Sequence, residues 1–189
     1  NWRGGHAAGG PSVTVFVLDD SYSMGQKVAN TTAFDQAKAE LITQLGEMND
    51  NASIAIVRTS DDIDKPFFAM NMVTDRASLV AKIDGLTVHD RRANWPELLS
   101  RVSGEFGDRP GSKELVLLSD FREVDFELLD TQSLAPALTL LTEGDVAITA
   151  FDFSKPAGRN AQIESLVLQD SAVVAEVGAA RQWLASGGQ

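Results

Sequence analysis

The chain has no cysteine among its 189 residues. Disulfides, thiolate zinc sites, iron–sulfur clusters and cysteine nucleophiles are thereby excluded. The compartment stays open, because many proteins on either side of a membrane lack cysteine. Aromatic residues are scarce at 7%, so the 43% of hydrophobic residues must build a mostly aliphatic core. Positive charge is also in short supply: Lys plus Arg total 16 against 27 Asp plus Glu, a formal net charge of −11. The one adjacent basic pair is Arg91-Arg92. So acidic a surface repels phosphate backbones and argues against nucleic acid as a partner. No run approaches the ~20 apolar residues of a membrane span. The longest, Val15–Leu18 and Leu115–Leu118, have strand length. The first residue is Asn1 rather than Met and no signal-peptide pattern precedes the first strand, so the sequence reads as a piece of something longer.

What is present is an alternation of strands and helices. Residues 1–11 hold four glycines and no hydrophobic period, which reads as a linker or disordered N-terminus containing His6. Residues 12–155 form the domain proper. Val13–Leu18 is a strand buried on both faces. Thr32, with Asp35 in the first turn, caps a helix carrying Phe34, Ala37, Leu41 and Leu45. Ser53–Thr59 is a second strand and Phe67–Val73 a third, paired with it at a sheet edge. Thr74 caps the next helix. Asn94, Pro96 and Glu97 predict a capping box before Leu98, Leu99, Val102 and Phe106. Leu115–Leu118 is a central strand, Leu134–Leu141 a short helix and Val146–Phe153 another buried strand. Residues 156–189 hold a strand (Ile163–Leu168) and a helix (Ser171–Ala185), completing the domain or joining a downstream region. The expected class is α/β: a doubly wound, mostly parallel sheet of about six strands, with helices on both faces and one short antiparallel edge strand.

Such sheets bind ligands beyond the carboxyl ends of their strands. Asp19-Asp20-Ser21-Tyr22-Ser23-Met24-Gly25 follows the first strand, Ser119-Asp120 the central one and Ser154-Lys155-Pro156 the strand after it. Carboxylates and hydroxyls thus converge on one edge, a donor set suited to hard cations such as Mg²⁺, Mn²⁺ or Ca²⁺. In Asp19-x-Ser21-x-Ser23, alternate residues of an extended turn can face one point. An incomplete protein cage leaves room for a carboxylate from another molecule.

At these residues the sequence resembles the von Willebrand factor A domain, whose metal-ion-dependent adhesion site carries Asp-x-Ser-x-Ser after the first strand. The resemblance covers Ser12 to Phe153 and implies a Rossmann-like fold. It implies a site of Asp19, Ser21, Ser23 and Asp120 holding Mg²⁺ (or Mn²⁺ or Ca²⁺), and a protein partner that donates a carboxylate. Asp90, Arg91, Arg92, Asn94 and Trp95 fall on the rim of that site. The family's threonine ligand aligns with Ala93, which has no oxygen to give, and Thr87 lies too early. That departure implies a weakly held ion, or none, with Arg91 or Arg92 placed to reach Asp19 or Asp120 instead. Asp-Asp-Ser-Tyr-Ser-Met-Gly and Ser-Asp-Phe-Arg-Glu also resemble a bacterial, membrane-anchored subgroup of the aerotolerance-operon type.

Plainer readings stand beside these. Asp20 reads as a solvated neighbour pointing away from Asp19, and Asp61-Asp62 with Asp64 as a solvated acidic loop. His89-Asp90 lacks a nucleophile to serve. Trp95 packs at the start of its helix, and Trp183 anchors the last one. Two other functions remain open. A phosphoacceptor of the receiver type would use Asp19-Asp20, Asp61 or Asp62 and Lys155. A metal-free scaffold would bind by shape alone. A phosphatase with Asp19 as nucleophile lacks a general acid at Ser21.

Overall fold

The computed structural model describes residues 12–28, 30–62, 65–122, 136, 137, 139, 141–154, 160–169 and 172–177. Its centre is β1 (Ser12–Leu18), whose seven residues are all buried. β1 pairs in parallel with β4 (Ser53–Arg58) on one side and β6 (Ser112–Ser119) on the other. β7 (Val146–Asp152) continues the parallel array beyond β6, and β5 (Phe68–Met72) closes the other side as an antiparallel edge on β4. A small antiparallel ribbon, β2 (Lys27–Val28) with β3 (Thr31–Thr32), lies in the connection after β1.

The alternation of side chains along β1 divides the core in two. Val13, Val15 and Val17 join Trp95, Leu98, Leu99, Val102 and Phe106 of α3 (Trp95–Phe106). Phe16 and Leu18 pack on the opposite face with Leu41 and Leu45 of α1 (Ala33–Glu47) and Leu79 and Ile83 of α2 (Arg76–Asp84). A period of two in the strand thus feeds two helical layers, and the expected α/β fold with helices on both faces is observed.

The expected count of about six strands is met by the five-strand unit β5-β4-β1-β6-β7 and extended by a hairpin. β8 (Asn160–Gln169) pairs antiparallel with β7, and β9 (Ala172–Val177) pairs antiparallel with β8, making a seven-stranded sheet. The helix expected over Ser171–Ala185 is corrected over residues 172–177, which form β9; residues 178–185 lie outside the described residues. Val173, Val174 and Val177 are β-branched residues that favour extended backbone, and only two residues separate β9 from β8, a hairpin-length link. Of the expected Leu134–Leu141 helix, residues 136, 137, 139 and 141 are helical. His6, Asp64, Lys155, Trp183 and the rest of the N-terminal linker lie outside the described residues. Among the described residues no helix is long and apolar enough to cross a membrane.

Helix starts show which local signals won. Thr32 caps α1 as expected: its Oγ1 accepts from the Asp35 amide at 3.0 Å and donates to Asp35 Oδ2 at 2.7 Å. α2 is capped by Asp75, not Thr74; the Asp75 carboxylate accepts from the Ser78 amide at 3.0 Å. At α3, Asn94 is the cap residue and Pro96 lies in the first turn, but the capping box does not form. The Asn94 side-chain amide instead donates to Glu97 Oε2 at 2.7 Å.

Thr32→Ala is expected to cost about 1 kcal/mol in urea unfolding, the usual value of a lost cap. The Thr32 hydroxyl, and behind it Lys38, holds the Asp35 carboxyl below the ordinary carboxylate value. A carboxyl depressed in the folded state stabilises fully above its unfolded value, about pH 4, and loses that contribution as the pH falls through the lowered one. Stability should therefore decline below pH 4 less steeply in Asp35→Asn than in the parent, as followed by urea midpoints across that range.

Candidate functional site

The site stands where the strand order reverses. From β1 the chain passes through α1 to β4 on one side, then returns to β6 on the other, and the carboxyl ends of all three strands come level. Leu18 registers with Arg58 and with Leu118. The next residues are knitted by backbone bonds: the Asp19 amide to the Leu118 carbonyl at 2.9 Å, and the Thr59 amide to the Leu18 carbonyl at 3.2 Å. Asp19, Thr59 and Ser119 therefore meet because three parallel strands end together.

Asp19 is fully buried. Its Oδ1 accepts from the Ser21 amide at 2.9 Å and the Thr59 hydroxyl at 3.2 Å, and its Oδ2 from the Ser119 hydroxyl at 2.5 Å. After it, residues Tyr22–Gly25 make a short 3₁₀ turn. The turn is pinned by Met24, which is fully buried, and by the amides of Met24 and Gln26 donating to the Ser21 and Ser23 carbonyls. This folds the two serines onto one side. Ser21 Oγ lies 3.2 Å from Ser23 Oγ, and Ser23 Oγ donates to Asp120 Oδ1 at 3.1 Å. Ser21, Ser23 and Asp120 are all buried. The oxygens of Ser21, Ser23 and Asp120 thus form one line, and Asp19 is tied to the same turn through the Ser21 amide and to the second strand through Ser119, 100 positions away.

The rim is mixed. Asp90, Arg91, Arg92 and Asn94 are exposed, whereas Trp95 is buried and stacks on Phe121 with ring centroids 5.9 Å apart. Trp95 is thus a packing residue, as its bland reading held. The segment before it is laid over the site by two backbone bonds, His89 amide to Asp20 carbonyl and Tyr22 amide to Arg91 carbonyl. Ala93 is buried and adds no oxygen. Arg91 and Arg92 form no ion pair with Asp19, whose partners are the neutral donors above.

Asp20 corrects the sequence reading. It shares the Thr59 hydroxyl with Asp19 and is fully buried, not solvated. Its carboxylate accepts from the Thr59 hydroxyl at 2.8 Å, the Ser60 amide at 3.0 Å and the Ser60 hydroxyl, and lies 3.5 Å from Arg58 Nη1. Asp61 is corrected likewise. Arg58 Nη2 meets it at 2.7 Å, and its Oδ2 accepts from the Arg58 and Phe67 amides, so it shapes the loop after β4. One guanidinium separates Asp20 from Asp61, which brings Asp61 nearer the site than its edge-strand position implied. Asp62 is exposed, as expected. Sequence reasoning missed Thr59 and Ser60. The signal was available: they follow an apolar strand as Asp19 and Asp20 do, and parallel neighbours in register end side by side.

The match to known proteins agrees with this geometry. The model of the von Willebrand factor type A domain matches residues 14–123. The chain belongs to that family. Among solved structures, a von Willebrand factor type A protein from Catenulispora acidiphila is 18% identical with a TM-score of 0.58, over 74% of this chain and 32% of that one. An aerotolerance-related membrane protein from Bacteroides fragilis is 11% identical with a TM-score of 0.54, over 88% of this chain and 81% of that one. The proximal thread matrix protein of the mussel byssus, in a form whose metal-ion-dependent adhesion site holds zinc, is 20% identical with a TM-score of 0.55, over 75% of this chain and 35% of that one. This chain therefore spans about a third of the mussel and Catenulispora chains. No curated protein matches the sequence. Domains of this family generally mediate protein–protein interactions, and a metal can be bound at their adhesion motif.

Asp20→Ala should destabilise the domain by about 1–3 kcal/mol, because the Ser60 amide and the Thr59 and Ser60 hydroxyls lose their acceptor in a buried setting. Urea unfolding of the variant against the parent measures this, and a loss under half a kcal/mol would mean that water replaces the carboxylate there.

Proposed function

We propose that this von Willebrand factor type A domain is a non-enzymatic protein-binding module. Asp19, Ser21 and Ser23 would hold a divalent cation, Asp120 would hold it through water, and a protein partner would donate a carboxylate as a further ligand. The observation that carries this reading is the state of Asp19: a fully buried carboxylate whose partners are an amide and two hydroxyls, with no cationic side chain among them. A buried charge is stabilised by an opposite charge as well as by hydrogen bonds. Asp20 next to it has Arg58 for that purpose.

The donor set fits a hard cation. Mg²⁺ takes oxygens at about 2.0–2.1 Å in octahedral array, which puts adjacent ligand oxygens about 3 Å apart. Ser21 Oγ and Ser23 Oγ, 3.2 Å apart, have that spacing, and Asp120, 3.1 Å from Ser23 Oγ, stands behind them. When bound, the cation supplies a fixed positive charge that attracts and orients a carboxylate. The chain's residues do the rest: they fix the donors, keep Asp19 dry and leave the outer side open. Ala93 adds no ligand, so water takes that position and affinity is low.

Two features favour this over a receiver-type phosphoacceptor. Asp61 is already engaged by Arg58 and two backbone amides. Asp62, its neighbour, is exposed and so lacks the buried setting that Asp19 has. The motif wording and the shared fold with the Bacteroides aerotolerance-related membrane protein support a larger, membrane-anchored bacterial parent.

Calorimetric titration with Mg²⁺ or Mn²⁺ should give saturable uptake that Asp19→Ala abolishes. Ala93→Ser, which adds one oxygen at the position lacking it, should tighten uptake several-fold. A parent protein whose titration is silent, and identical to that of Asp19→Ala, would overturn the metal reading.

A further inference from the structure

Four exposed side chains around the oxygen cluster are left over by the fold. Tyr22, at the tip of the 3₁₀ turn, is 70% exposed, and Val88 is 37% exposed. Arg91 and Arg92 are exposed, and among the described residues neither guanidinium enters an ion pair or hydrogen bond. Backbone bonds tie the two segments that carry them. The Tyr22 amide donates to the Arg91 carbonyl at 3.2 Å, and the His89 amide donates to the Asp20 carbonyl. Val88 packs beside Gly25, where a Cβ would meet its methyl at 3.4 Å, an ordinary van der Waals contact. The turn between Ser21 and Ser23 and the segment from Val88 to Arg91 are therefore one surface, bordering the cluster.

The charge of this surface runs against that of the molecule. A chain of net charge −11 has its one adjacent arginine pair here, without an ion pair among the described residues, beside the buried carboxylates. Asp90, the residue before the pair, is exposed and lies 3.0 Å from His89 Nδ1. Elsewhere Arg58 pairs with Asp20 and Asp61 and Arg76 with Asp50, while Arg101 and Arg109 reach backbone carbonyls. Guanidinium groups pair carboxylates in fork geometry, and an exposed aromatic on a rigid turn loses little freedom when covered.

We infer that the partner of this face is an acidic segment with at least two carboxylates. One addresses the cation site; the others pair with Arg91 and Arg92, and an apolar side chain between them covers Tyr22 and Val88. This rests on the cation site proposed above, and adds to it the class of partner and the residues that select it. A single carboxylate is common on protein surfaces, so the arginine pair is what discriminates an acidic segment from a neutral one carrying one Asp or Glu.

The probe is a fluorescent, end-blocked peptide Glu-Glu-Leu-Glu-Glu, with Gln-Gln-Leu-Gln-Gln as control, followed by anisotropy with excess Mg²⁺. The glutamate peptide should bind and the glutamine peptide should not. Arg91→Ala with Arg92→Ala should weaken binding tenfold or more, the lysine pair should retain part of it, and Tyr22→Ala should cost several-fold. Affinity should fall as salt rises from 50 to 300 mM, because exposed charges are screened. Calorimetric Mg²⁺ uptake by the double alanine variant should match the parent, which shows that the fold and the cation site persist. If the parent takes up Mg²⁺ but does not bind the glutamate peptide, or binds it equally after loss of both arginines, the acidic-partner assignment is overturned and the cation site is left standing. If arginine-dependent binding survives unchanged in EDTA, the assignment holds and the cation reading fails.

Discussion

Everything at the functional edge depends on the parallel pairing of β1 with both of its neighbours. Because Leu18 is level with Arg58 and with Leu118, the residues that follow emerge together, and the hydrogen-bond ladder continues one step past the strands through the amides of Asp19 and Thr59. A slip of one residue in either ladder would reverse the side chains on both faces and, in one direction, bring Leu18 or Leu118 where an oxygen now stands. That slip is opposed by two apolar layers, one under α3 and one under α1 and α2, each reading alternate residues of the same strand. Core packing and site geometry are thus a single constraint.

On that frame two adjacent carboxylates have been given opposite surroundings. Asp20 is turned toward β4 and satisfied there by Thr59, Ser60 and Arg58. Asp19 is turned toward the serines and β6 and meets neutral donors. Thr59 touches both, at 3.2 Å and 2.8 Å, and accepts the Asp20 amide at 3.1 Å. One hydroxyl therefore ties the site to its support. The division of labour within Asp-Asp is local in sequence but is created by residues 39 and 40 positions away.

Much of this was legible in the chain itself. Val13–Leu18 and Leu115–Leu118 are too short for helices and too apolar for exposed strands, so two-sided burial and a parallel sheet followed. The Asp-x-Ser-x-Ser spacing and the placement of Asp120 after a second buried strand pointed to one cluster, and the serines and Asp120 do meet. What could not be read depended on distant partners. Asp20 and Asp61 look like ordinary loop acids until Arg58 is placed between them. Ser171 onward carries valines at positions that satisfy a helical period and a strand equally, and the pairing with β8 decided it. At Asn94 the Glu97 carboxylate takes the side-chain NH2 group rather than the backbone N–H, so the two residues of the capping box meet but the box does not form.

The antiparallel strand β5 has a bearing on how the molecule behaves in company. It registers with β4 at only three positions, with an irregularity between Ile54 and Ile56. An outer strand so brief and kinked presents few evenly spaced amides for another chain to zip onto. Polymerisation through this border of the sheet is thereby blunted without any bulky shield, leaving the module free to present its opposite features at high local density.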